Sequence, residues 1–157
     1  KTALPQSPGL TLVETVYGDD VSDKSYRETV ALLKRYPDLA AIVSLSSVGI
    51  VAAAKAVEDQ GLAGKVKVTG LGLPSELAGY VKSGVVEKFA IWNPIDLGYT
   101  ITYVAATLAN DTQTKTAPQS VTAGRMGAIT FGADGVGAMA KPFIYDSSNI
   151  DQFAKIF

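Results

Sequence analysis

Trp92, Asn93, Pro94 and Asp96 put an indole face, an amide and a carboxylate into one short segment. An indole covers the apolar side of a ring, and an amide donates and accepts hydrogen bonds, so the group suits a polar ligand with an apolar face such as a sugar. Leu45, Ser46 and Ser47 close an apolar run with two hydroxyls, and Gly70-Leu71-Gly72-Leu73-Pro74-Ser75 forms a turn in which Gly72 permits close backbone approach to a ligand, with Leu73 a further candidate beside it. Each candidate also has a purely structural reading. Asn93 and Ser46 are good helix caps, Leu45 and Trp92 are ordinary core residues, and both glycines suit a tight turn.

The chemistry is bounded by what the chain lacks. It contains no histidine and no cysteine, which removes the serine–histidine–aspartate triad, imidazole acid–base catalysis, thiolate nucleophiles and the usual zinc ligands. Asp19, Asp20 and Asp23 read as a turn and cap, and their spacing does not match a calcium-binding loop. The Gly70–Ser75 turn departs from a dinucleotide fingerprint, since Ser75 stands where the third glycine belongs and Pro74 stiffens the turn. No metal or cofactor is expected, and the chain does not read as an enzyme.

These candidates need strands that end side by side, and the sequence supplies strand–helix alternation. Leu10–Tyr17 reads as a strand, followed by a helix capped by Ser22 or Asp23 and ending near Tyr36 before Pro37. Tyr26, Val30, Leu32 and Leu33 form its apolar stripe. Ala41–Leu45 reads as a parallel strand covered on both faces, then a helix runs from about Val48 to Gln60 with Gly61 closing it. A strand over Lys65–Leu71 and a helix over Ser75–Lys82 follow. Glu87–Trp92 is the fourth strand, and Asn93 as cap with Pro94 first in line starts a helix reaching about Ala109. Four such units predict a doubly wound α/β sheet, whose small-molecule sites lie at strand carboxyl ends. Residues 110–124 read as a polar loop, Met126–Phe131 and Pro142–Tyr145 as short strands, and Asp151–Phe157 as a terminal turn or helix.

With 157 residues, 47% of them hydrophobic, the chain can form an ordinary core. Its 14 basic and 15 acidic residues are interspersed, so the electrostatic footprint of a nucleic-acid binder is missing. No apolar run approaches the roughly 20 residues that cross a bilayer.

Three blocks carry a resemblance: VYGDDVSDKSYRETVALLKRYPDLAAIV (16–43), GKVKVTGLGLPSELAGYVKSGVVEKFAIWNPIDLGY (64–99) and AGRMGAITFGADG (123–135). The chain resembles the C-terminal half of a type I periplasmic sugar-binding protein of ABC transporters, in the subfamily of rhamnose- and autoinducer-2-binding proteins. YVKSGVV, IWNP and GRMG give the match its specificity. The resemblance implies a three-layer α/β lobe with a parallel sheet, incomplete relative to a two-lobe fold whose lobes close over a sugar. Residues 1–92 would form most of the second lobe. Residues 93–157 would form the hinge crossing, a helix and C-terminal strands that pack with the first lobe.

By the same resemblance, Leu45 and Ser47 occupy positions that contact ligand in autoinducer-2 relatives. Ser46, Gly72 and Trp92 replace the asparagine, aspartate and glutamine of ribose-type relatives, so ribose selectivity is not inherited. The implied function is the solute-binding component of a bacterial ABC sugar transporter taking rhamnose or a related sugar. Its place would be the periplasm or the outer face of the cell membrane, and its partner a membrane permease. Alternatives are the sugar-sensing core of a transcriptional repressor or an autoinducer-2-type receptor. The resemblance further implies that the first lobe is missing from these 157 residues, as in a fragment or truncated product, and that this missing first lobe or a companion chain completes the site.

Overall fold

The structure, a computed structural model, describes residues 7–110 and 119–156. Five helices and six strands follow one another as α1 (Ser22–Arg35), β1 (Ala41–Ser44), α2 (Ser47–Asp59), β2 (Lys67–Gly70), α3 (Pro74–Lys82), β3 (Lys88–Ile91), α4 (Pro94–Asn110), β4 (Ser120–Thr122), β5 (Ala128–Thr130), β6 (Phe143–Asp146) and α5 (Ile150–Phe153). They divide into two compact units. One comprises residues up to Phe89 together with those from Asp146 onward, and the other is Ala90–Tyr145.

In the first unit β1 and β2 pair in parallel, with Ser44 opposite Gly70, and Val68 adds a parallel bridge to Val86. Apolar side chains close the core beneath them: Ile50 and Val57 of α2, Val68 of β2, Leu77 of α3 and Phe89 of β3 are all essentially inaccessible. Each such side chain contributes about 1.5–3 kcal/mol by leaving water. The helix α2 ends as its sequence indicates. Gly61 takes φ +65°, Leu62 N–H donates to Val57 O at 2.9 Å, and Gly61 N–H donates to Glu58 O at 2.9 Å. That paired closure satisfies carbonyls the helix would leave open, and glycine adopts its left-handed conformation without penalty. At the chain's end α5 packs on α3, where Lys82 Nζ lies 2.6 Å from Asp151.

Several sequence expectations are corrected here. Leu10–Tyr17 makes no strand ladder among the described residues, and Leu10, Leu12, Val13 and Tyr17 stay exposed. β-rich composition defines a strand only when an edge is available to pair with. The segment is instead tied down by Glu14, whose carboxylate accepts from Arg35 Nη1 at 2.7 Å and from the Tyr36 hydroxyl at 2.9 Å. Neither Ser22 nor Asp23 caps α1. Val21 holds the cap position without a side-chain bond, while Asp23 pairs with Arg27 one turn on.

The buried stripe of α1 is Ser25, Thr29 and Leu33, not the larger apolar set. Small residues win because α1 lies close against the alanine-rich α2, where Ala52, Ala53 and Ala56 are buried. The strand β1 is covered on one side only, with Val43 65% and Leu45 78% exposed on the other.

The second unit is built on α4 and a hairpin. β4 and β5 pair antiparallel, with Val121 opposite Ile129, and the 3-10 turn Gly124–Met126 joins them. Val121, Ala123 and Ile129 are buried, and α4 packs on β4 and on that turn. Part of the region read as a loop is therefore strand and 3-10 turn, while its residues 111–118 lie outside the described residues. The strand read over Met126–Phe131 contracts to β5. Among the described residues the ladders are three two-stranded pairs, β1–β2, β3–β6 and β4–β5. Thr100 is the one residue of α4 that is fully buried, and Ile95 (62%), Ile101 (55%) and Leu108 (48%) face outward. No helix among the described residues is long and apolar enough to cross a membrane.

Candidate functional site

In the first unit Leu45, Ser46 and Ser47 follow the carboxyl end of β1, and Gly72 and Leu73 follow that of β2, the neighbouring parallel strand. The register pairs Ser44 with Gly70, and Leu71 N–H donates to Ser44 O at 2.9 Å just past the ladder. Gly70 has φ +144°, and its α-carbon lies so close to the Ser44 carbonyl that no side chain would fit. Gly72 is tight for a different reason. A β-carbon there would run into Leu77, and into Ile50 at 2.9 Å, so this glycine lets the turn sit directly on the core. Pro74 opens α3 and Leu73 occupies its cap position without a side-chain bond.

Ser46 caps α2, as its sequence position indicates: Gly49 N–H donates to Ser46 Oγ at 3.0 Å. The same hydroxyl donates to Asp20 at 2.7 Å. Ser44 Oγ donates to the Ser46 carbonyl at 3.1 Å, completing a polar rim at the end of β1. Asp20 and its neighbour Asp19 both take positive φ, 55° and 54°, a conformation that non-glycine residues adopt at a cost of about 1–3 kcal/mol each. Asp19 is paired with Lys24. Sequence reasoning assigned Asp20 to the turn alone. Its pairing with Ser46 spans 26 residues, and no local spacing encodes it.

In the second unit Asn93 caps α4 as expected. Its Oδ1 accepts from Ile95 N–H at 2.9 Å and from Asp96 N–H at 3.4 Å, and Pro94 takes the first helical position. Trp92 and Asn93 are half-buried at the end of β3. Asp96 pairs with Arg125 Nη2 at 2.6 Å, and the Arg125 guanidinium carbon lies 4.0 Å above the Tyr99 ring. An open apolar groove of about 350 Å³ runs elsewhere in this unit, between α4 and the hairpin, lined by Leu97, Ile101, Val104, Ile129 and Phe131. Apart from the buried Thr100 hydroxyl, which has no hydrogen-bond partner, it offers little to a sugar. Among the described residues no cluster of three or more potential metal ligands occurs.

Residues 1–113 match the periplasmic binding protein domain family. The chain belongs to that family. A solved ABC transporter solute-binding protein of Clostridium phytofermentas, with bound L-rhamnose, is 38% identical over 99% of this chain and 53% of its own, with a TM-score of 0.87. A sugar ABC transporter protein of Actinomyces odontolyticus is 37% identical over 97% of this chain and 50% of its own, with a TM-score of 0.75. The LsrB protein of Clostridium saccharobutylicum in complex with AI-2 shares the fold at 16% identity, covering 97% of this chain and 52% of its own, with a TM-score of 0.79. This chain thus spans about half the length of the solved relatives it matches, and its fold is a partial lobe of the type I periplasmic-binding class.

Proposed function

We propose that this chain is part of the solute-binding component of an ABC sugar transporter, and that its ligand is L-rhamnose or a closely related sugar. The observation that carries the reading is the 38% identity, spread over 99% of the chain, with a relative whose structure contains L-rhamnose. The strand-end chemistry of each unit, taken by itself, supports it: in the first, Ser46, Ser47 and the backbone at Gly72 and Leu73 can bond hydroxyls, and in the second, Trp92 carries an aromatic face and Asn93 an amide. Leu45, exposed beside the serines, adds an apolar contact. No bond is made or broken in this role; packing and directed hydrogen bonds supply the affinity.

Residues 1–92 would belong to the second lobe and 93–157 to the crossing toward the first, with lobe closure presenting the loaded protein to a membrane permease outside the cytoplasm. Calorimetric titration of the full encoded polypeptide with a panel of monosaccharides tests this. Saturable binding of L-rhamnose or a near relative, with no turnover, is the expected result. Absence of binding to any sugar, or chemical conversion of one, would reject the reading.

A further inference from the structure

The GRMG stretch, Gly124–Gly127, is the connection of the β4–β5 hairpin, and it lies against the first turns of α4. Three contacts hold it there. Arg125 bonds Asp96 in the first turn at 2.6 Å, with Asp96 only 26% exposed, and the same guanidinium stacks over Tyr99 at 4.0 Å. Gly124, at φ +49°, sits against the hydroxyls of Tyr99 and Tyr103, which a β-carbon there would force to shift. The Asp96 N–H, in turn, is one of the two amides that Asn93 Oδ1 accepts from. A continuous chain of contacts therefore runs from the Arg125 guanidinium through both ends of Asp96 to the Asn93 amide, the residue next to Trp92.

We infer that Arg125 is a positioning residue for sugar binding: it anchors the first turn of α4 through Asp96 and Tyr99, and so fixes the direction in which Asn93 and Trp92 meet the ligand. The inference rests on the proposed function for its ligand, but its geometry does not depend on it. Arginine suits the task because one planar group forms an ion pair at its edge and stacks with its face. Lysine can supply the charge without the plane.

The test uses the full polypeptide and three variants, Arg125→Ala, Arg125→Lys and Asp96→Asn, read by L-rhamnose titration, Trp92 emission and hydrogen exchange at the Ile95 and Asp96 amides. Trp92 is the chain's one tryptophan, so its emission reports this turn alone within these 157 residues. Arg125→Ala is expected to weaken sugar binding about tenfold, shift Trp92 emission and speed exchange at both amides. Arg125→Lys, the variant least prone to fold poorly, should fall between it and wild type. Affinities within twofold of wild type with unchanged emission and exchange would overturn the inference. If the wild type binds no sugar, the proposed function fails, while emission and exchange still decide the clamp: altered in Arg125→Lys they uphold it, unaltered they reject it.

Discussion

Ser46 uses its single hydroxyl twice, accepting from the α2 amide end and donating to Asp20. Its removal should cost about 1 kcal/mol through loss of the cap. Ser46→Ala is therefore expected to lower the thermal midpoint by a few degrees, and Asp20→Asn, which keeps the shape but weakens the acceptor, by less. Trp92 poses the opposite case, because it is half-buried and its proposed work is on the ligand. Trp92→Ala in the full polypeptide should weaken sugar binding by more than its loss of stability explains, as compared by titration and thermal unfolding. Equal binding would remove the aromatic platform from the account. Asn93 lies between the two: its cap role is visible in the bonds to Ile95 and Asp96, and its proposed role on the ligand would use the amide nitrogen.

At the scale of elements, the β1–β2 end depends on glycines for closeness rather than for polarity. Gly72→Ala would push a methyl into Leu77 and Ile50, an overpacking that costs about 1–3 kcal/mol. Leu77→Ala, at the same contact but leaving a void, should cost about 2–5 kcal/mol. Denaturant unfolding of both variants checks the pair, and a neutral Gly72→Ala would show that the turn is looser than the packing implies.

These elements also show what sequence can and cannot disclose. The positions of α2, α3 and α4 are legible because Ser46, Gly61, Pro74, Asn93 and Pro94 are local signals acting within a turn of the residues they organise. The face that α1 buries was not legible, since Ser25 and Thr29 are chosen by the proximity of alanines on another helix. Leu10–Tyr17 misled for a related reason: strand propensity describes a segment, whereas a strand needs a partner. The Arg125–Asp96 and Ser46–Asp20 contacts join residues 29 and 26 positions apart, beyond the reach of any motif spacing.

For the molecule as a whole, titration gives a clear expectation. Hydrogen bonding from Tyr36 and Arg35 holds the Glu14 carboxyl below its ordinary value; Lys55 and Tyr26 do the same for Asp59, Lys67 for Glu87, and Ser148 for Asp146. Each lowered carboxyl contributes stability that is present above its unfolded value, about 4, and is lost as the pH falls through its folded value. With no histidine in the chain, no side chain with an ordinary value between pH 5 and 8 is present. The denaturation midpoint should thus be flat from about pH 5.5 to 7.5 and fall below about pH 4, less steeply in Glu14→Gln. A transition near pH 6.5 would contradict this.

The exposed apolar residues of α4, Ile101 and Leu108 on one side and Ile95 on another, carry a second whole-molecule expectation. In isolation the 157-residue chain should self-associate and bind sugar far more weakly than the full polypeptide, which sedimentation and titration of both would reveal. The central claim, that these strand-end turns serve to hold a sugar, is tested most directly by calorimetric titration of the full encoded polypeptide with L-rhamnose and a panel of hexoses and pentoses. The account predicts saturable one-to-one binding of L-rhamnose or a near relative that Trp92→Ala weakens, and absence of binding to every sugar in the panel would contradict it.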